Sequence, residues 1–281
     1  MILGWAFAII FCSGVFATDA DTEFNYEDYA YILGKFVDNA GMVDYKKLKK
    51  NHRKLDIFVL DLKDLDKHIY ETWDSNSKIA FWINAYNALT LKVVIDHYPI
   101  KSSLFKSQLY PKNSIKQIPG AWDRIFFRVM GKKMSLNRIE HKILRKEFNE
   151  PRIHMALVCA AKGCPPLYNK PYTGKKLHEQ LENRAKLFFA NIKNFRINRK
   201  KRTVFFSSIL KWFAKDFARK EKKIPNIKWK MKNESATLRF AAKYVEKENA
   251  EFLLNKFTIL LYQKYDWSLN EQTYKKNGTE K

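Results

Sequence analysis

The segment from Asn76 to Tyr98 constrains the fold more than any other part of this 281-residue chain. Its interior, Ile79 to Ile95, is apolar on nearly every face, which is typical of a helix buried on all sides. Pro99 ends the segment, because proline cannot continue a helix. The segment is also too short and too polar to span a membrane. The pattern therefore predicts a central helix with the other elements packed around it.

Two amides lie inside this predicted helix. Asn84 and Asn87 are three residues apart and therefore share one helical face. Because buried amides need hydrogen-bond partners, they either tie the helix to neighbouring backbone or direct one side chain into a pocket. Asn84 is therefore a candidate site residue.

The rest of the chain alternates amphipathic segments with short β-prone ones. A hydrophobic content of 46% with 15% aromatic residues indicates a globular protein, despite 29% charged residues. The spacing predicts helices over 21–39, 48–65, 136–147, 177–192, 209–217 and 235–246, a hairpin over 125–134, and strands over 153–159, 203–207 and 257–265. We expect one helix-rich α+β domain over residues 26–270, with a small, mainly antiparallel sheet around the central buried helix.

The stretch from Pro151 to Tyr172 contains the best candidate site. Its first part, residues 153–159, is a short apolar run that predicts a buried strand, and the two prolines after Cys164 predict a stiff loop. On a strand, His154 and Cys159 would point to opposite faces about 16 Å apart, so they could not pair directly. Cys164, on the returning loop, could reach a histidine.

The first 17 residues predict a signal peptide and a secreted protein. They are uncharged and apolar, and they end in Val15-Phe16-Ala17, whose spacing suits a signal peptidase. A buried or anchoring N-terminal helix is the alternative. Cleavage would remove Cys12 and leave Cys159 and Cys164 in an oxidising compartment, where a disulfide between them is expected.

Two tripeptides in the chain could be glycosylated if the protein is exported. Asn233-Glu-Ser235 and Asn277-Gly-Thr279 fit the pattern of glycosylation sites, and both lie in polar sequence contexts. The tail, residues 271–281, is polar and predicted to be frayed.

The chain carries a formal net charge of +24, and the excess is uneven. Residues 199–232 contain 13 Lys and Arg against two acids, with aromatic residues interleaved. That pattern can serve a nucleic-acid groove, but it also arises when a lysine-rich surface covers an aromatic core. For a secreted protein, acidic glycans or anionic membrane surfaces are the favoured partners, and nucleic acid is not.

Four segments of the chain form a recognisable set of motifs. They are Ala80-Phe-Trp-Ile-Asn-Ala-Tyr-Asn87, Ser135-Leu-Asn-Arg-Ile-Glu-His141, His154-Met-Ala-Leu-Val-Cys-Ala-Ala-Lys-Gly-Cys-Pro-Pro-Leu167 and Tyr265-Asp-Trp-Ser-Leu-Asn270. These motifs resemble the domain-of-unknown-function 547 family. A fifth, Gly41-Met-Val-Asp-Tyr45, is similar to the family's opening segment. The chain departs from the family pattern at Ala161, where serine is expected. The resemblance implies no activity, because the family is named for lacking one.

We expect a noncatalytic binding module, in which a pocket of histidine, Glu140 and cysteine lies beside a basic surface for an anionic partner. The alternative is a cysteine-dependent hydrolase or acyl transferase, which needs a thiolate, a histidine base and an orienting group. The candidates are Cys164 or Cys159 as nucleophile, His154 or His141 as base, and Glu140, Asp266 or Asn84 to orient the base.

A zinc site is a third hypothesis. His141, His154, Glu140 and one thiol are suitable ligand types, but no HExxH or CxxC spacing supports such a site. We therefore expect no metal and no cofactor.

Overall fold

The computed structural model describes residues 23–220 and 232–273. The predicted signal peptide, Asn277 and most of the predicted polar tail lie outside these residues, as does part of the basic run. No described helix has the length and apolar character that a membrane crossing requires.

The described part of the chain is predominantly helical. The α-helices are α1 (Glu27–Phe36), α2 (Tyr45–Lys50), α3 (Arg53–Asp64), α4 (Lys67–Thr72), α5 (Ser75–Asp96), α6 (Leu104–Ser107), α7 (Leu136–Arg138), α8 (Arg145–Glu147), α9 (Leu177–Ala190), α10 (Ser208–Trp212), α11 (Ala214–Lys220), α12 (Lys232–Ala242) and α13 (Lys247–Leu254). A π-helix, Ile139–Leu144, joins α7 to α8. Short 3₁₀-helices cover Ile115–Gln117, Pro151–Met155 and Gly174–Lys176.

Helix α5 is the predicted central helix. The Asp74 side chain caps its start by accepting from the Ser77 N–H over 2.7 Å. Every residue from Ile79 to Leu91 is buried, so α5 has no solvent-facing side over that length. The prediction of a helix-rich α+β domain around a central buried helix is confirmed.

Two small sheets complete the part of the fold that the structure describes. Strands β1 (Phe127–Val129) and β2 (Lys132–Met134) form the predicted hairpin. The second sheet has the order β3-β4-β5 and consists of β3 (Phe195–Asn198), β4 (Thr203–Phe206) and β5 (Ile259–Tyr262). Strand β3 runs antiparallel to β4, and β5 runs parallel to β4. Most of the strand pairing described is therefore antiparallel, as predicted.

The buried side chains of residues 23–220 and 232–273 form two hydrophobic cores. The first surrounds α5 and includes Tyr29, Phe58 and Trp82. The second lies among α9, α11, α12 and the β3-β4-β5 sheet, and includes Phe206 and Phe217. The partly buried Tyr265 packs against both cores.

The predicted strand over residues 153–159 is wrong. Pro151–Met155 is a 3₁₀-helix, followed by irregular chain. The run is apolar because it passes between the cores, with Ile153 in the first and Met155 in the second. Asn87 replaces the missing sheet partners: its amide bonds to the Ala156 carbonyl at 3.0 Å and to the Val158 N–H at 2.9 Å. The separation of about 16 Å expected for His154 and Cys159 on a strand therefore no longer applies.

The segment that follows β5 holds the thiol loop in place. The Lys162 N–H bonds to the Ser268 carbonyl and the Gly163 N–H to the Asp266 carbonyl, both at 2.8 Å. Ala161 and Leu269 form an antiparallel bridge. The chain near residue 270 thereby fixes the loop between the two cysteines.

Asn233, the first residue of one predicted glycosylation site, is half-buried. It is in the first turn of α12, where its carbonyl accepts from the Thr237 hydroxyl at 2.8 Å. Ser235, the third residue of the pattern, is buried.

Candidate active site

Residues from both hydrophobic cores line a cavity of about 200 Å³. Its polar lining consists of Tyr86, Lys116, Asn137, Glu140, His141, His154, Cys159, Cys164 and Tyr265. Its apolar lining consists of Trp122, Leu157, Ile209, Trp212, Phe213 and Trp267. The cavity thus gathers titratable, nucleophilic and aromatic groups from distant parts of the chain.

His154 is a buried base held by a carboxylate. Its Nε2 lies 2.8 Å from Asp216 Oδ2, and its ring stacks on Phe213 at 3.9 Å between centroids. Burial lowers the pKa of His154 although Asp216 acts in the opposite direction, so the ring is neutral near pH 7. Because the ionised Asp216 can only accept, Nε2 carries the proton. Nδ1 is then the basic nitrogen, and it has no hydrogen-bond partner among the described residues.

Arg145 connects Asp216 to the second histidine. Its guanidinium donates two hydrogen bonds to the Asp216 carboxylate, from Nε at 2.5 Å and from Nη2 at 3.1 Å. Its Nη1 donates to His141 Nδ1 at 2.9 Å. Burial would raise the pKa of Asp216, but the hydrogen bonds from His154 and Arg145 hold that pKa well below its usual range. Burial and the Arg145 charge lower the pKa of His141. His141 is therefore a neutral ring whose Nε2 carries a proton to donate.

The two thiols are in direct contact. The Cys159 and Cys164 sulfurs lie 2.6 Å apart and both cysteines are free, so the expected disulfide is not formed in this structure. Cys164 Sγ also accepts from the Cys159 N–H at 3.0 Å and the Tyr265 hydroxyl at 3.1 Å. These donors favour a negative charge on Cys164 Sγ over one on Cys159.

The hydrogen bonds around the pair favour the proton on Cys159 over the proton on Cys164. Burial would raise the pKa of Cys164, but the hydrogen bonds from Cys159, Tyr265 and the backbone lower it below its usual value. The hydrogen bond to Cys164 and burial raise the pKa of Cys159 well above its usual value. The arrangement therefore stabilises a thiolate at Cys164 beside a protonated Cys159.

Gly163 makes room for the Tyr265 hydroxyl donor. A Cβ on Gly163 would come within 2.9 Å of the Tyr265 ring and 3.0 Å of the Asp266 backbone nitrogen. Any side chain at position 163 would therefore push Tyr265 away from the thiols.

Glu140 is a buried carboxyl that titrates near neutrality. It lies in the π-helix and is 8% exposed. Burial raises the pKa of Glu140 to about 7, even though a hydrogen bond with Tyr86 and the charge of Arg145 favour the ionised form. A carboxyl with such a pKa can donate or accept a proton at physiological pH.

Lys116 places a cation among the tryptophans of the cavity. Its Nζ lies 4.3 Å from the centroid of Trp267 and 4.9 Å from that of Trp122. Burial lowers the pKa of Lys116 below its ordinary value. The ammonium gives the cavity one group suited to an anionic ligand.

The family model described as "Protein of unknown function, DUF547" matches residues 70–189. The match confirms that this part of the chain resembles the DUF547 family. The match includes three of the segments that carried the resemblance in the sequence. No curated protein and no solved structure matches the chain.

The DUF547 segment supplies only part of the cavity. It contributes both cysteines, both histidines and Glu140. Asp216, which orients His154, and the aromatic residues Trp212, Tyr265 and Trp267 lie beyond residue 189. The Asp–His pair is therefore assembled from the DUF547 segment and α11 together.

The cavity brings together five of the seven residues proposed from sequence, namely Cys159, Cys164, His141, His154 and Glu140. Asn84 lies elsewhere: its amide bonds to the Tyr172 N–H at 3.0 Å and to the Tyr172 carbonyl at 2.7 Å. It thus ties α5 to neighbouring backbone, which was the first of the two expectations for it. Asp266 is exposed and accepts from the Ser268 N–H.

Sequence reasoning missed Asp216 as a site residue. It appears in the chain as one of two acids in a lysine-rich run, and that isolation was the only signal available. The zinc hypothesis also gains no support, because within residues 23–220 and 232–273 no three His, Cys, Asp or Glu side chains gather in a metal-binding arrangement.

Proposed function

We propose that the protein is a cysteine-dependent hydrolase or acyl transferase. The observation that carries this proposal is the Asp216–His154 pair: His154 lines a cavity with two thiols, and its Nδ1 has no hydrogen-bond partner within residues 23–220 and 232–273. A thiolate, a neutral histidine and an orienting carboxylate are the parts that nucleophilic catalysis by cysteine needs.

Each group has a role in this chemistry. The Cys164 thiolate attacks the carbonyl carbon of an ester, thioester or amide, and the leaving group departs with a proton from Glu140. Water then attacks the resulting thioester while His154 Nδ1 takes its proton, which releases the acid and restores the thiolate. Protons return from His154 to Glu140 through the solvent in the cavity. In net terms one water molecule cleaves one acyl bond.

The lining limits the substrate. A volume of about 200 Å³ is smaller than the sites that enclose drug-sized ligands, so the cavity takes only the reacting end of a larger molecule. Lys116 and the tryptophans beside it suit an anionic group close to the scissile carbonyl.

Acylation by p-nitrophenyl acetate tests this function. The reduced protein should release nitrophenolate faster than N-acetylcysteine does at the same pH, and peptide mass mapping should find the acetyl group on Cys164. Cys164→Ser should abolish the adduct, while the matched variant Cys159→Ser should retain it. Acetylation no faster than that of the free thiol, or confined to Cys159, would contradict the proposal.

A noncatalytic binding module is the second candidate, favoured by the cation and tryptophan rings in the cavity and by the net charge of +24. In that case the signal peptide and an anionic glycan partner proposed from the sequence would define the role. Titration of the protein and of Lys116→Gln with an acidic oligosaccharide would then show binding that depends on Lys116, without any acetylation at Cys164.

A further inference from the structure

An apolar loop stands out on the surface near the cavity. Leu104, Phe105 and Leu109 are 93%, 74% and 67% exposed, around the single turn of α6. Scattered single apolar residues are ordinary on a protein surface, but three large ones within six positions form a patch. Exposing such a patch to water costs free energy, and a partner that covers the patch removes that cost.

The charge around the loop identifies the kind of partner. From His97 to Trp122 the chain contains four lysines and no Asp or Glu. Lys101 and Lys112, at the two ends of the loop, are exposed. Apolar side chains surrounded by lysines are the pattern of protein segments that lie in the headgroup region of an anionic bilayer.

The loop is also continuous with the candidate active site. A second cavity of about 400 Å³ is lined by Leu109 and Tyr110 on one side and by Tyr265 and Trp267 on the other. Tyr265 and Trp267 line the thiol cavity as well, and the half-exposed Trp212 stacks beside Trp267. Tryptophan, tyrosine and lysine are the residues that prefer the membrane–water interface.

We propose that the segment from Lys101 to Lys112 docks the protein on an anionic lipid surface. Leu104, Phe105 and Leu109 enter the headgroup region, and the flanking lysines meet the lipid phosphates. Docking of this kind is peripheral, and it turns the aromatic side of the thiol cavity towards the bilayer. The docking does not depend on the chemistry proposed for the cavity.

Vesicle sedimentation tests the proposal with the mature protein. Binding to phosphatidylcholine vesicles should increase when phosphatidylglycerol is added. The variant L104S/F105S/L109S should lose on the order of a hundredfold in partition coefficient, because it removes the side chains that leave water. The variant K101Q/K112Q should lose about tenfold on the anionic vesicles only.

The control replaces equally exposed apolar residues elsewhere, in L60S/L187S/I192S, which are 51%, 57% and 72% exposed before substitution. It should bind as the wild type does, since changes at such surface sites do not unfold a protein. Equal binding by the loop variant and the wild type would overturn the proposal. So would a wild-type dimer that the loop variant abolishes, since a second copy would then cover the loop. Sedimentation needs no turnover, so its failure is separate from a failure of the thiol chemistry.

Discussion

His154 Nε2 and Asp216 Oδ2 lie 2.8 Å apart, and this hydrogen bond decides which nitrogen of the ring is basic. Because Nε2 keeps the proton, Nδ1 is the nitrogen that can accept a proton from substrate or water. The tautomer of His154, within the DUF547 segment, is therefore set by Asp216 of α11, which lies outside that segment.

Replacing the acid should disable the base. In Asp216→Asn the pKa of His154 should fall further, because burial remains and the carboxylate that favours the charged ring is gone. Release of acetate from the acylated enzyme should slow by about 10²- to 10⁴-fold. NMR titration of His154 and single-turnover kinetics measure the two effects. The exposed change Asp123→Asn is the control, and an unaltered deacylation rate in Asp216→Asn would remove Asp216 from the mechanism.

Tyr265 should tune the thiol. Its hydroxyl donates to Cys164 Sγ at 3.1 Å, so Tyr265→Phe should raise the pKa of Cys164 because a hydrogen bond to the thiolate is lost. The pH dependence of alkylation by iodoacetamide reports that pKa. Tyr262→Phe, a change in β5 at a half-buried tyrosine outside the thiol cavity, should leave the profile unchanged. A similar shift in both variants would mean that the Tyr265 hydrogen bond does not stabilise the thiolate.

Glu140 should give stability a pH dependence of its own. Its pKa is about 7 in the folded protein against an ordinary 4.5, so between these values the folded chain holds a proton that the unfolded chain has lost. The contribution of Glu140 to stability therefore falls as pH rises through this window, by on the order of 3 kcal/mol.

Urea unfolding of the wild type and Glu140→Gln at several pH values isolates this effect. The free energy of unfolding of Glu140→Gln should rise relative to that of the wild type between about pH 4.5 and about pH 7. The histidines have lowered pKa values and contribute the opposite slope below pH 6.5, but they do so in both proteins. A constant difference across the range would show that Glu140 has the same pKa in the folded and the unfolded chain.

Asn84 should matter for folding and not for the thiols. Asn84→Ala removes two hydrogen bonds and leaves the buried backbone of Tyr172 unpaired, which should cost about 2–4 kcal/mol. Chemical denaturation measures the loss, and the alkylation rate of Cys164 should stay at the wild-type value. An altered alkylation rate in the folded variant would place Asn84 in the site after all.

Sequence patterns were enough to predict the elements whose pattern has a single structural explanation. Helix α5 was predictable because a helix buried on every side is apolar all round, and the hairpin because a glycine follows a β-prone run. The segment 153–159 was not, since a 3₁₀-helix passing between two cores is as apolar as a buried strand. Strand β3 and helix α13 were also missed, because residues 195–198 and 247–254 have polar residues that weaken their periodicity.

The candidate site was predictable in its residue types but not in its connections. Cysteine, histidine and glutamate close together in the chain indicated reactive chemistry, and they do line one cavity. The partner of His154 is 62 positions away, in a lysine-rich run whose pattern indicates only a basic surface. Pairing over such a distance depends on how the two cores pack, which local periodicity does not encode.

Trapping the acyl-enzyme tests the central claim most directly. His154→Ala should still be acetylated at Cys164 by p-nitrophenyl acetate, because Tyr265 and Cys159 stabilise the thiolate without the histidine. The adduct should then persist, whereas the wild type should return to the free thiol. Intact-protein mass spectrometry over time distinguishes the two. An adduct lost equally fast in both proteins would contradict the role of His154, and no adduct in either would contradict the thiol chemistry itself.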